Sequence, residues 1–214
     1  MDTAGTGAKP VVIGLTGGMG CGKSTAGRML ERRGFRRIDT DEVVRRLLDG
    51  DPETAEALRE YFGEGIFRPQ GGVDRAALAK RVFASQTALG ALESILHPRV
   101  RTIWEDALRK EPDACWCVEI PLLFEKKLEK HFDFTLCLSA SEAVCLARLA
   151  AKGFTKDDAH ARMARQLPLD EKIRRADYVL SNNGSLEFLE TQTGLLTAGL
   201  QGTPKNSPRA DTQP

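Results

Sequence analysis

The first apolar run, Val11-Val12-Ile13-Gly14-Leu15-Thr16, is short and rich in β-branched residues. It predicts a strand buried on both faces. A glycine-dense turn follows, and then Lys23 to Arg33, where Ala26, Met29 and Leu30 share a helical face before Gly34 ends the element. Phe35 to Ile38 predicts a second short strand, delivering Asp39-Thr40-Asp41 at its end. Strand, loop, helix, strand is the grammar of a parallel sheet.

From Glu42 to Lys110 helical patterns dominate, over Glu42–Leu48, Pro52–Phe62, Ala76–Phe83 and Thr87–Leu108. Gly63-Glu64-Gly65 and Arg68-Pro69-Gln70-Gly71-Gly72 break them. About 70 residues without a buried strand is long for one crossover, so a helical insertion between two sheet strands is expected. Strand patterns return at Cys115–Ile120, Phe134–Leu138 and Tyr178–Leu180. Ser141, an N-cap type of residue with Glu142 in the first turn, opens a helix whose Ala143–Ala151 stretch carries Arg148. Charged helical segments follow at Thr155–Gln166 and Leu169–Arg175, and a last helix from Ser185 to near Leu200. The end, 201–214, is polar with three prolines and is expected to be disordered; residues 1–10 are expected to form a flexible extension.

Composition narrows the classes. Of 214 residues, 41% are hydrophobic, enough for a packed interior, and the formal charge of +1 argues against a nucleic-acid or membrane-surface binder held by bulk charge. No apolar run approaches the roughly 18 residues of a membrane span. The first residues lack the apolar core of a secretory signal, so a cytoplasmic location is expected. The five cysteines, Cys21, Cys115, Cys117, Cys137 and Cys145, have neither zinc-site nor redox-motif spacing and are expected to be reduced core thiols.

The sharpest motif is Gly17-Gly18-Met19-Gly20-Cys21-Gly22-Lys23-Ser24, followed by Thr25, which fits G-x-x-x-x-G-K-[ST] between a strand and a helix. Glycines let main-chain N–H groups wrap a polyphosphate, and the helix start adds partial positive charge. Lys23 supplies an ammonium for the β- and γ-phosphates, and the Ser24 hydroxyl can ligate Mg²⁺. A dinucleotide fingerprint fits poorly, because Lys23 or Thr25 falls where its third glycine belongs.

Phosphoryl transfer also needs a group to orient the acceptor hydroxyl, and cations for the migrating charge. Asp39 and Asp41, two apart at a strand end, are expected to point the same way as base or magnesium-water ligands; the alternative is that Asp41 only caps the helix from Glu42. Arg148, Arg162 and Arg165 are either a solvated face or part of a lid that excludes water. Glu119, ending the third strand, is either linked to magnesium or a satisfied strand-end carboxylate.

Together, Thr16 to Thr25, Ile38-Asp39-Thr40-Asp41, Leu96-His97-Pro98, Pro121-Leu122-Leu123-Phe124-Glu125, Ala176-Asp177-Tyr178-Val179 and Asn182-Asn183-Gly184 resemble the dephospho-coenzyme A kinase family, in order from Val11 to Leu200. The resemblance implies an α/β P-loop kinase with a five-stranded parallel sheet, a helical acceptor-binding insertion and a lid. Its nucleotide-binding core would be 11–41, 111–147 and 176–200, its dephospho-coenzyme A insertion 42–110 and its lid 148–175. The implied reaction moves the ATP γ-phosphate to the ribose 3′-hydroxyl of dephospho-coenzyme A, with Mg²⁺.

By position, Lys23 would grip phosphates, Asp41 would be the base and Arg148 the lid arginine. Gly18 to Thr25 would bind ATP, with Asn182 and Gly184 beside the adenine. Asp39, His97, Pro121, Leu122, Leu123, Glu125 and Arg162 would serve the acceptor. Lys152-Gly153 and Ser181 depart from the family's usual Arg-Asp and Asp at those places. No nucleic-acid or membrane partner is implied, and a monomer is the provisional expectation. Another P-loop nucleoside or nucleotide kinase is the nearest alternative, and a nucleotide-dependent switch or ATPase a more distant one.

Overall fold

The computed structural model describes residues 10–200. The expectations for the chain before residue 10 and for 201–214 lie outside the described residues. Five strands form one sheet: β1 (Val12–Gly17), β2 (Arg36–Asp39), β3 (Trp116–Glu119), β4 (Phe134–Ser139) and β5 (Tyr178–Ser181), in the order β2-β3-β1-β4-β5. Strand β1 pairs in parallel with β3, Ile13 opposite Cys117, and with β4, Leu15 opposite Leu136; β4 pairs in parallel with β5. Being central explains the unbroken apolar run of β1, since helices cover both faces of such a strand.

Helix α1 (Lys23–Arg32) buries Ala26, Gly27, Met29 and Leu30, the predicted stripe. It packs against β1, β3 and the last helix, α9 (Leu186–Leu200), around a core containing Ile13, Leu15, Leu136, Leu138 and Leu189. Between them in sequence come α6 (Glu142–Ala150), α7 (Lys156–Met163) and α8 (Leu169–Arg175). Ser141 caps α6, its hydroxyl accepting from the Val144 amide. The α7 helix is shorter than the predicted Thr155–Gln166 because Thr155 is its N-cap and the chain turns after Met163.

The described residues divide into two compact units, 10–38 with 112–200, and 39–111. The second unit is helical: α2 (Thr40–Gly50), α3 (Pro52–Phe62), α4 (Arg75–Ala84) and α5 (Gln86–Lys110), with one antiparallel bridge between Phe67 and Val73. Helix α5 runs through Pro98 without ending.

Asp39 and Asp41 stand differently from the expectation. Helix α2 begins at Thr40, so the two do not share the face of an extended strand. Asp39 is the N-cap, its carboxylate accepting from the amides of Asp41 and Glu42, while Asp41 stands in the first helical turn. Asp41 therefore does not cap a helix starting at Glu42 either. Among the described residues no helix is long and apolar enough to cross a membrane.

Candidate active site

The loop after β1 leaves the carboxyl edge of the central strand, where open α/β sheets bind ligands. Its backbone is left-handed at Gly20 (φ 82°) and Gly22 (φ 96°), a region side chains disfavour. Space excludes them as well: a Cβ on Gly22 would run into the Asn182 side-chain amide, and one on Gly20 would lie 2.8 Å from the Cys145 carbonyl oxygen. Gly22 caps α1 without a side-chain hydrogen bond, and the first turn holds no acid. The positive end of the helix is thus left for an external anion.

Lys23 folds back over this loop, its ammonium donating to the Gly17 and Gly18 carbonyl oxygens at 3.2 and 3.1 Å. At the second residue of the helix, the Ser24 hydroxyl donates to Glu119 Oε2 at 3.2 Å. Glu119 is only 3% exposed at the end of β3, and Arg37 of β2 pairs with its other oxygen at 3.0 Å. A buried carboxylate needs such a cation. The neighbouring edge strand supplies it.

Arg148 lies in the last turn of α6. Its guanidinium donates to the Asn182 carbonyl at 2.9 Å and, at longer range, to the Gly20 and Cys21 carbonyls. Asn182 is buried just beyond β5 and returns a side-chain amide bond to the Cys21 carbonyl at 2.8 Å. Arg148 and Asn182 together brace the loop from behind. A Cβ added at Gly184 would lie 3.4 Å from the Phe188 ring. Arg162 sits over the Phe154 ring, 5.0 Å from its centroid, among the residues of α7.

Beyond β3, the chain from Pro121 to Glu125 is held from below. Leu123 is fully buried, against the open side of Gly14, whereas Pro121 and Leu122 are half-buried. Glu125 accepts from the Leu167 amide and pairs with Lys172 at 2.9 Å. Lys172, with no exposed surface, also donates to the Pro121 carbonyl at 2.8 Å, and Thr16 of β1 donates to that same oxygen. Lys172 belongs to a run that reads from sequence as a charged helix face, so nothing in the sequence singled it out. Arg37 was likewise unmarked. Asp39, Asp41 and His97 belong to the helical unit; His97 stands mid-helix in α5, directly before Pro98.

The site therefore offers an anion cradle, an ammonium above it, and a hydroxyl joined to a buried carboxylate beside it. The family model for dephospho-CoA kinase matches residues 11–187. The chain belongs to the dephospho-CoA kinase family. It is similar to the dephospho-CoA kinase of Corynebacterium glutamicum, 38% identical over 87% of this chain and 95% of the relative. It is also similar to that of Deinococcus radiodurans, 43% identical over 86% and 89%. The solved dephospho-CoA kinase of Campylobacter jejuni superposes with a TM-score of 0.66 at 26% identity, covering 89% of this chain and 96% of that one. Members of this family share the P-loop kinase fold, and the helical unit of residues 39–111 falls within the span the family model covers.

Proposed function

We propose that this enzyme performs the reaction its family is named for: ATP-dependent phosphorylation of dephospho-coenzyme A at its ribose 3′-hydroxyl, the closing step of coenzyme A synthesis. The observation that carries the reading is the phosphate loop with Lys23 and Ser24 in place, in a chain matched to the family over residues 11–187.

The acceptor oxygen would attack the γ-phosphorus as the bond to the β-phosphate oxygen breaks, so that ADP departs and the hydroxyl proton passes to a base. Main-chain amides from Gly18 to Thr25 would hold the β- and γ-phosphates, and Lys23 would exchange its carbonyl partners for phosphate oxygens. Arg148, already beside the loop, would add charge where the phosphoryl group moves. Asp41 is the proposed base, by its position in the Asp-Thr-Asp motif. Asp39, His97, Pro121, Leu122 and Glu125 are the proposed acceptor contacts, Leu123 and Lys172 supporting that loop from beneath.

The donor set fits magnesium. Ser24 and Glu119 present a hydroxyl and a buried carboxylate 3.2 Å apart, hard oxygens of the kind this ion takes beside substrate phosphates. Ser24 and Glu119 would hold it there, and its chemistry is to neutralise phosphate charge.

The test is ADP release with ATP and dephospho-coenzyme A against a panel of nucleosides and nucleoside monophosphates. Dephospho-coenzyme A is expected to give the highest kcat/KM, and a better nucleoside or nucleotide acceptor would overturn the substrate. Asp41→Asn is expected to lose most turnover with ATP affinity retained. Near-normal turnover would remove it as the base.

A further inference from the structure

Two thiols meet under the phosphate loop. Cys21, inside the loop, has its sulfur 3.5 Å from that of Cys145 on α6, and both side chains are buried among the same core residues. All five cysteines are free, and the phosphoryl transfer described above uses the Cys21 main chain but neither of these two thiols. We propose that Cys21 and Cys145 are an oxidisable pair, joined as a disulfide by a hydroperoxide, and that this bond withdraws the loop from nucleotide binding until a thiol reductant opens it.

Three features of the site carry this. The sulfurs are in van der Waals contact, from helix to loop, so little movement brings them within bonding distance of about 2.05 Å. The loop has no slack there. Gly20 lies so close to Cys145 that an added Cβ would meet its carbonyl oxygen, Cα and Cβ at 2.8, 3.1 and 3.2 Å. The Cys145 end is anchored, its amide bonded to the Ser141 carbonyl at 2.9 Å, so the closing motion falls on Cys21. The Cys21 carbonyl is also the acceptor for Asn182 and Arg148, and pulling that residue disturbs both braces.

Reactivity is divided between the two sulfurs. The hydrogen bond between the two sulfurs is the largest influence on Cys21 and, with the nearby Lys23 ammonium, lowers its thiol against the opposing effect of burial. Cys145 is raised, chiefly by the same bond and by burial. The unpaired Cys137 is pushed up to about 12, chiefly by burial. Cys21 is therefore the attacking sulfur, since the thiolate is the nucleophile. It attacks one peroxide oxygen: an S–O bond forms, the O–O bond breaks, and the other oxygen leaves as an alcohol or water with the proton of Cys21. Cys145 then displaces the sulfenic oxygen. The S–S bond forms, the S–O bond breaks, and water leaves with the proton of Cys145. Two thiols lose two electrons and one peroxide is reduced.

The experiment treats the full chain with equimolar hydrogen peroxide, with and without ATP, blocks remaining thiols and maps peptides without reduction. Expected are a Cys21–Cys145 cross-linked peptide, loss of two hydrogen masses, and ATP affinity weakened by about tenfold or more, restored by dithiothreitol. ATP should slow the cross-link, because coupling between two events at one loop is reciprocal. Cys145→Ser should bind ATP as the parent does and show no reversible loss; Cys145→Ala serves if the serine variant misfolds. Absence of that peptide in the parent, a cross-link that leaves ATP affinity unchanged, or equal reversible loss in the Cys145 variants would overturn the proposal. None of these readouts involves the acceptor, so failure here is separate from failure of the substrate reading.

Discussion

Arg148 makes one firm bond, to the Asn182 carbonyl, and two longer ones to the loop. A hydrogen bond from a charged donor is worth about 1.5–3 kcal/mol. Arg148→Ala is therefore expected to lower kcat/KM by about 10- to 100-fold, each 1.36 kcal/mol being tenfold in rate. Steady-state kinetics check this, and a loss smaller than threefold would show that the brace is idle. The motif residues around it were legible because they are contiguous and their backbone follows from glycine. Asp39 and Asp41 were legible as chemistry but not as geometry. Asp39, Thr40 and Asp41 can all cap a helix, and which one does so is settled by where the turn closes.

Helix α8 shows how an element can mislead. Its seven residues are mostly charged, yet Lys172 is buried with Glu125 and holds the chain after β3. Breaking a buried pair leaves one charge uncompensated, so Lys172→Ala is expected to cost about 3–5 kcal/mol. Pairing Lys172→Met with Glu125→Leu should recover part of that loss. Urea denaturation of the single and double variants measures both.

In the helical unit, Asp51 caps α3 by accepting from the Thr54 hydroxyl and amide. The Thr54 side-chain bond, then its amide, hold the Asp51 carboxyl below its ordinary 3.8. A carboxyl lowered on folding stabilises above its unfolded value and loses that contribution as pH falls through the native one. Asp51→Ala should cost about 1 kcal/mol at neutral pH. The difference from the parent should shrink as pH falls below 3.8, followed by thermal melts across that range.

At the scale of the whole molecule, nucleotide binding and stability are linked. Magnesium ATP at about 100 times its Kd should add about 2.7 kcal/mol to the native state. Lys23→Ala should lose most of the resulting rise in Tm at the same concentration, as seen by thermal shift. An equal rise in both proteins would place the nucleotide elsewhere.

By itself the sequence determined what depends on neighbours along the chain: the five strand patterns, the stripe of α1, and the Gly-rich loop ending in Lys23 and Ser24. It also carried the motifs by which the family can be named. Tertiary structure alone decided the partners. Arg37 reaches Glu119 across 82 positions, Ser24 reaches it across 95, and Cys21 meets Cys145 across 124. These meetings follow from the order β2-β3-β1-β4-β5, which sets a strand between two that come later in the chain and brings distant side chains to one edge. Local propensity contains no such order. It arises when the sheet assembles and its two faces are covered.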